Sequence, residues 1–267
     1  MKRLADRSII RVEGADARSF LQGIVTQEAP TQDDGARFSA LLSPQGKILF
    51  DFVLAPTTRG YLVDCATAMR EALLKRLALY RLRAAVEIAA EPSLAVGFAQ
   101  GEAETFGAVA AYEDPRTSLL GWRAIAPANA MSDDGGDAYR DLRYCVGVPQ
   151  CGDDFPGDSL FLLDANYDVL RGVSYSKGCF VGQEVTSRMK RKSEIRKRTL
   201  IAVAESATLA AGGKLVCGED PVGEILSSNG ERALALVRTD RLAVATGPVL
   251  CDGTELQLIV PPYLETQ

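Results

Sequence analysis

Lys177-Gly178-Cys179-Phe180-Val181-Gly182-Gln183-Glu184 decides how this 267-residue chain is read. A cysteine set among two glycines, a lysine, an amide and a carboxylate is poor material for a hydrophobic core. Glycine weakens helices and strands, so Gly178 and Gly182 point to backbone that turns or is closely approached. Val181, Val185 and Met189 then recur at four-residue spacing, a short apolar stripe of helical period. The pattern places Cys179 at or just before the first turn of a helix, where free amide N–H groups and the positive dipole end favour a thiolate. Lys177 and Arg188 act in the same direction, and Glu184 opposes them. A buried, inert thiol is the alternative reading, since free cysteines are usually packed.

Outward from this segment, composition narrows the choices. Apolar content of 47% and charged content of 24% suit a globular protein of one or two domains. Met1 to Glu13 carries basic residues with no long apolar stretch behind them, and no run reaches membrane-helix length. These absences lead to the expectation of a cytoplasmic protein with no membrane partner. The six cysteines are scattered without a C-x-x-C pair, which suggests reduced thiols rather than a disulfide framework or a zinc site. There is no histidine, so Ser-His-Asp and Cys-His pairs and mixed Cys/His zinc sites are excluded. The net charge is −5, yet Arg188 to Arg198 holds seven basic residues against one acid, Glu194. A basic run on an acidic chain suggests an anionic partner, with a solvated helix end as the plain alternative.

The element pattern has two textures. Up to about residue 193, strands at Ser8–Val12, Phe38–Leu42, Ile48–Leu54, Tyr61–Cys65, Val86–Ala89, Leu94–Phe98 and Trp122–Ile125 alternate with helices. One helix is capped by Asp16, another spans Thr67–Leu82 with a Glu71/Lys75 pair, and a third covers Ala138–Val146 after a turn at Asp134–Asp137. Pro44-Gln45-Gly46-Lys47 signals a hairpin. After the basic run, six short β-prone segments between Thr199 and Val260 are punctuated by Gly and Asp turns, the mark of a small barrel.

The run Gly172 to Arg188 resembles the signature of the YgfZ family, folate-binding proteins of iron–sulfur cluster assembly related to the glycine cleavage T-protein, an aminomethyltransferase. Phe20-Leu21-Gln22-Gly23 with Thr26, Ser43 to Leu49, Asp114-Pro115-Arg116 and Gly121-Trp122-Arg123 resemble further family markers in the family order. The resemblance implies an α+β fold: interleaved, largely antiparallel T-protein-like subdomains followed by a small C-terminal β-barrel. Residues 1–193 would form the aminomethyltransferase-like region, with subdomains of roughly 1–40 plus 130–193 and 41–129, and residues 194–267 the barrel.

It further implies tetrahydrofolate as ligand and iron–sulfur assembly or client proteins as partners. Cys179 would be the reactive or cluster-facing thiolate within the motif of Lys177, Gly178, Gly182, Gln183, Glu184 and Arg188. Asp164 would hold the pterin edge, a geometry in which a carboxylate accepts two parallel N–H bonds. Asp51, Trp122 and Arg123 are further folate candidates. A cluster usually needs four protein ligands, so no stable metal is expected in the isolated chain. Cys179 would act transiently or as one ligand of a cluster shared with a partner. An accessory role is favoured over a classical enzyme. The first alternative is a folate-dependent one-carbon transferase, opposed by Phe50 standing where the transferases carry a second carboxylate. The second is a tRNA-binding module, opposed by the absence of aromatics within the basic run.

Overall fold

In the computed structural model, which describes residues 1–101, 107–132, 135–191, 195–205 and 207–265, the elements run in chain order as follows. The first half holds β1 (Lys2–Arg3), β2 (Arg7–Glu13), α1 (Ala17–Ile24), β3 (Arg37–Leu42), β4 (Ile48–Pro56), β5 (Gly60–Ala66) and α2 (Arg70–Arg81). It continues with β6 (Glu87–Ala90), β7 (Leu94–Ala99), β8 (Ala110–Glu113), β9 (Trp122–Pro127), α3 (Gly136–Val146) and α4 (Gln183–Arg191). The last part holds β10 (Lys197–Val203), β11 (Lys214–Cys217), β12 (Asp220–Asn229), β13 (Arg232–Arg238), α5 (Thr239–Leu242), β14 (Val249–Cys251), β15 (Thr254–Ile259) and α6 (Pro262–Glu265).

Strand alternation explains the layers. In β2, Ile9 faces one core while Ile10 and Val12 face another. The sheet β3-β4-β5-β2-β6 is antiparallel throughout and is covered on one side by α1 and α2. Leu73 and Leu77 are the buried residues of α2, each burial worth roughly 1.5–3 kcal/mol. The other side of this sheet meets β7 and β9 of a second antiparallel sheet, β1-β7-β9-β8, together with α3 and the 148–180 segment. Because β4 is buried on both faces, it reads in sequence as an apolar run broken only by Asp51, with Phe50, Phe52 and Leu54 on the helix side and Val53 and Ala55 opposite.

The C-terminal strands close into a six-stranded barrel, β10-β13-β12-β11-β14-β15, sealed by β10 pairing with β15. Closure removes the free edges that six short strands would otherwise expose. The barrel is fused to the rest of the chain, since Leu236 and Tyr263 belong to the first core.

Several local expectations change. Asp16 precedes α1 without capping it, and its carboxylate instead accepts the Ala85 amide at 2.8 Å. The Thr67–Leu82 helix divides into a 3-10 turn at Thr67–Met69 followed by α2, and Glu71 pairs with Arg70 rather than Lys75. Strand β8 lacks a sequence signal and went unanticipated. Strand β3, whose ladder with β4 joins Phe38 to Val53 and Leu41 to Phe50, runs across the position of the subdomain division expected at roughly residue 40. Asp134, Lys192, Ser193 and Glu194 lie outside the described residues, and so do the expected start of the turn and the expected 193/194 boundary.

Candidate functional site

Between α3 and α4 the described chain has no regular helix or strand, and this stretch carries the octapeptide. It is held by side chains bonding to backbone. Thr26 Oγ1 donates to the Gly172 carbonyl at 2.6 Å and accepts the Ala40 amide at 2.8 Å. Gln27 Nε2 donates to the Arg171 carbonyl at 2.8 Å, and Ser174 Oγ donates to Glu28 at 3.1 Å. Lys177 then turns inward. Its Nζ donates to the carbonyls of Gln22 at 2.8 Å, Val25 and Gln27 at 3.2 Å, and lies 5.2 Å from the centre of the Phe180 ring. The ammonium thus engages carbonyls where α1 ends, the favourable place for a cation. Burial lowers its pKa to about 8, with Glu28 acting against the shift.

On its other side the motif packs against the β3–β4 hairpin. Gly182 and Gly46 both adopt positive φ, 80° and 83°. A Cβ on Gly182 would lie 2.8 Å from the Ser43 carbonyl oxygen, and one on Gly46 would lie 2.8 Å from Val185 Cβ. Two glycines from distant motifs therefore allow hairpin and loop to touch. Gly178 differs: a Cβ there would meet nothing within 4 Å.

Cys179 sits on this braced loop and is exposed, with Phe180 buried beside it. Helix α4 begins only at Gln183, after the Gly182 turn. The thiol therefore precedes the first helical turn, where dipole influence is concentrated. Lys177 directs its ammonium to the carbonyls at the end of α1. Glu184 and Arg188 pair at 3.1 Å on the open face of α4, a contact of little energetic weight. Among the other cysteines, Cys145 is exposed, whereas Cys65, Cys151, Cys217 and Cys251 are buried. Burial pushes Cys65 up to about 12 and Cys151 higher still. Among the described residues no three Cys, Asp or Glu side chains converge as a metal site.

Asp164 lines a cavity of about 260 Å³ with Phe161, Leu163, Met189, Ile195, Arg196, Lys197 and Arg238. The cavity lies where α4, the start of β10 and the end of β13 meet, at the junction of barrel and α+β region. Asp164 is 8% exposed. Burial raises its pKa, while Lys197, the Phe161 backbone, Arg198 and Lys47 pull it back. Part of the basic run is thus brought to this carboxylate, together with Arg238, which no sequence signal marked. Arg198 instead pairs with Asp168 at 2.6 Å.

The remaining candidates lie elsewhere. Asp51 points from β4 into the first core, where it accepts the Cys151 amide at 2.8 Å and the Tyr167 hydroxyl, and burial raises its pKa. Arg123 is fully buried, donating to Asp114 at 2.8 Å, Asp64 at 2.5 Å and the Tyr139 hydroxyl. Asp64 also takes Arg7, and Asp114 takes Arg116, so the cluster bonds β2, β5, β9 and α3 together. Burial alone would raise Asp114, but Arg116 and Arg123 hold its carboxyl well below the usual range. Arg123 is therefore a structural cation rather than a ligand arm. Trp122 is half-buried on β9, opposite Ala99 and Glu113, and does not line the Asp164 cavity.

Comparison with known proteins agrees with this architecture. Residues 196–266 match the family model described as the CAF17 C-terminal beta-barrel domain. The chain is 31% identical to the human iron-sulfur cluster assembly factor IBA57, mitochondrial, over 90% of this chain and 78% of the relative. It is 30% identical to the mouse protein of the same name, over 96% and 82%. The crystal structure of glycine cleavage system aminomethyltransferase T from Bartonella henselae superposes with a TM-score of 0.76, covering 99% of this chain and 86% of that one at 17% identity. The fold is therefore T-protein-like, α+β with a closed barrel, as expected. The relatives carry the IBA57 name rather than that of YgfZ, and they are named mitochondrial, which overturns the expectation of a cytoplasmic protein.

Proposed function

The chain belongs to the CAF17/IBA57 family of iron–sulfur cluster assembly factors, and from that premise we propose that it presents Cys179 to a cluster carrier or client protein while Asp164 holds a reduced folate. The observation that carries this reading is an exposed thiol on a loop anchored at both ends, by Lys177 on one side and the Gly182–Gly46 contact on the other. With no converging set of further ligands among the described residues, a cluster at Cys179 would take its other ligands from a partner. The cluster is cargo here.

The resemblance of the octapeptide to the YgfZ family refines the reading toward folate. The Asp164 cavity suits the ligand's head rather than its whole length, being below the usual size of a drug-like pocket. Asp164 would accept the N–H groups of a 2-amino-pyrimidinone edge, and the glutamate tail would leave the cavity past Arg196 and Lys197, Arg238 being held by Asp240. A bound reduced folate supplies a ring nitrogen able to carry a one-carbon unit. Transferase chemistry is disfavoured: Phe50 packs in the helix-side core, and Asp51 is engaged by Tyr167 and Cys151. The division into a transferase-like region through residue 193 and a barrel from 194 is part of the same proposal.

Calorimetry tests the ligand. Asp164→Asn should weaken tetrahydrofolate binding by roughly 1.5–3 kcal/mol, the scale of a hydrogen bond to a charged group. Unchanged affinity in a folded variant would remove Asp164 from the site.

A further inference from the structure

The C-terminal end of α2 carries a feature that folding does not require. Leu82 ends the helix at φ 45 and ψ −106, a conformation leucine adopts reluctantly and glycine readily. Its side chain gains nothing from the interior, being 87% exposed. Leu79, three residues earlier and so on the same face, is 65% exposed. Lys75 stands one turn before Leu79, on the side of α2 opposite the buried Leu73 and Leu77.

Four cations accompany the two leucines: Lys75, Arg76, Arg81 and Arg83. None has an ion-pair partner among the described residues, although Arg76 stacks over the Tyr80 ring. The neighbouring acids are already engaged, Glu71 by Arg70, Glu13 by Arg11 and Arg59, and Glu87 by Arg11. Beside Leu82, a surface hollow of about 460 Å³ is lined by Arg59, Arg81 and Arg83 as well as Glu13 and Glu87. On a chain of net charge −5, this is a local excess of positive charge around protruding apolar tips.

We propose that this face is a peripheral contact for an anionic membrane surface, with Leu79 and Leu82 entering the headgroup region and the four cations meeting acidic lipid. A deformable lipid interface accepts side chains that stand far out, whereas a folded protein would need a pocket shaped to them. Such a contact requires no spanning segment, and no described helix is long and apolar enough to cross a membrane.

Flotation of the full chain with phosphatidylcholine vesicles, with and without phosphatidylserine, tests this. Wild-type protein should float only with the phosphatidylserine vesicles and be released by salt. Replacing both Arg81→Ser and Arg83→Ser should lower vesicle affinity about thirtyfold. Leu82→Gly should lower it several-fold while leaving the thermal midpoint equal or higher, because glycine accepts this positive-φ backbone without strain. That combination separates a lost contact from a damaged fold. Wild-type protein that stays in the aqueous phase at low salt would overturn the proposal, as would binding that both variants retain. Salt-sensitive binding to polyglutamate without any binding to vesicles would make the face a protein contact and also overturn it.

Discussion

Gly178 and Gly182 stand in one motif but answer to different constraints. Gly182→Ala forces a side chain onto φ +80° and toward the Ser43 carbonyl, and should lower stability by roughly 1–3 kcal/mol in urea melts. Gly178→Ala meets open space, so stability should hold or rise by up to about 1 kcal/mol. If a partner approaches the bare backbone beside Cys179, the same change should reduce cluster delivery; full activity would show that no such approach occurs. Lys177 adds a pH signature. Its pKa is about 8 in the folded chain against the ordinary 10.5, so the folded state releases this proton before the unfolded state does. The unfolded chain then binds more protons between those values, and stability from this group rises with pH from about 8 to 10.5. Lys177→Met should abolish that rise. It should also cost roughly 1–3 kcal/mol near pH 7, because three carbonyls at the end of α1 lose their donor. Superimposable stability–pH curves for the two proteins would contradict the assignment. The lysine was legible as part of a motif, but its direction was not, because its partners lie some 150 positions earlier in the chain.

At the scale of elements, the barrel was readable for a physical reason. Each of its six strands is a short β-prone run bounded by turn residues such as Gly218, Gly230 and Gly253, all at positive φ. The β3–β4 hairpin was readable in the same way from Gly46. The stretch from Val148 to Gly182 was not, since backbone held by the Thr26 and Gln27 side chains leaves no period in the sequence. Arg123 shows the same limit: a charged residue beside a tryptophan reads as a ligand arm until Asp64 and Asp114 are seen to surround it. The basic run divides between elements. Arg196 and Lys197 reach the Asp164 cavity, while Arg198 is bound by Asp168 and Arg188 by Glu184. If the cavity cations receive a folate tail, polyglutamylated folate should bind more tightly than the monoglutamate, with the advantage shrinking as salt rises. Equal affinities at low salt would leave those cations without that role.

Across the whole molecule, buried polar contacts join what the sequence divides. Asp154 accepts from Arg143 and Tyr144 of α3, from the Gln150 amide at 2.7 Å, and from Ser227 of the barrel at 2.6 Å. Asn166 donates to the Thr199 carbonyl at 2.7 Å and to Tyr263 at 3.1 Å. Asp154→Ala leaves the buried Arg143 only its longer contact to Asp153 at 4.0 Å and should destabilise by roughly 3–5 kcal/mol, in a single transition that includes the barrel; a separate barrel transition would show that the two parts fold independently. This rigid frame is what holds an exposed thiol at a fixed place, and that thiol is the centre of the account. The most direct test replaces the resident factor in cells by Cys179→Ser or Cys145→Ser, the two exposed cysteines, and measures the activity of an iron–sulfur enzyme that depends on it. Cys179→Ser should fold and bind folate normally yet fail to restore the enzyme, while Cys145→Ser restores it. A fully active Cys179→Ser protein would contradict the account.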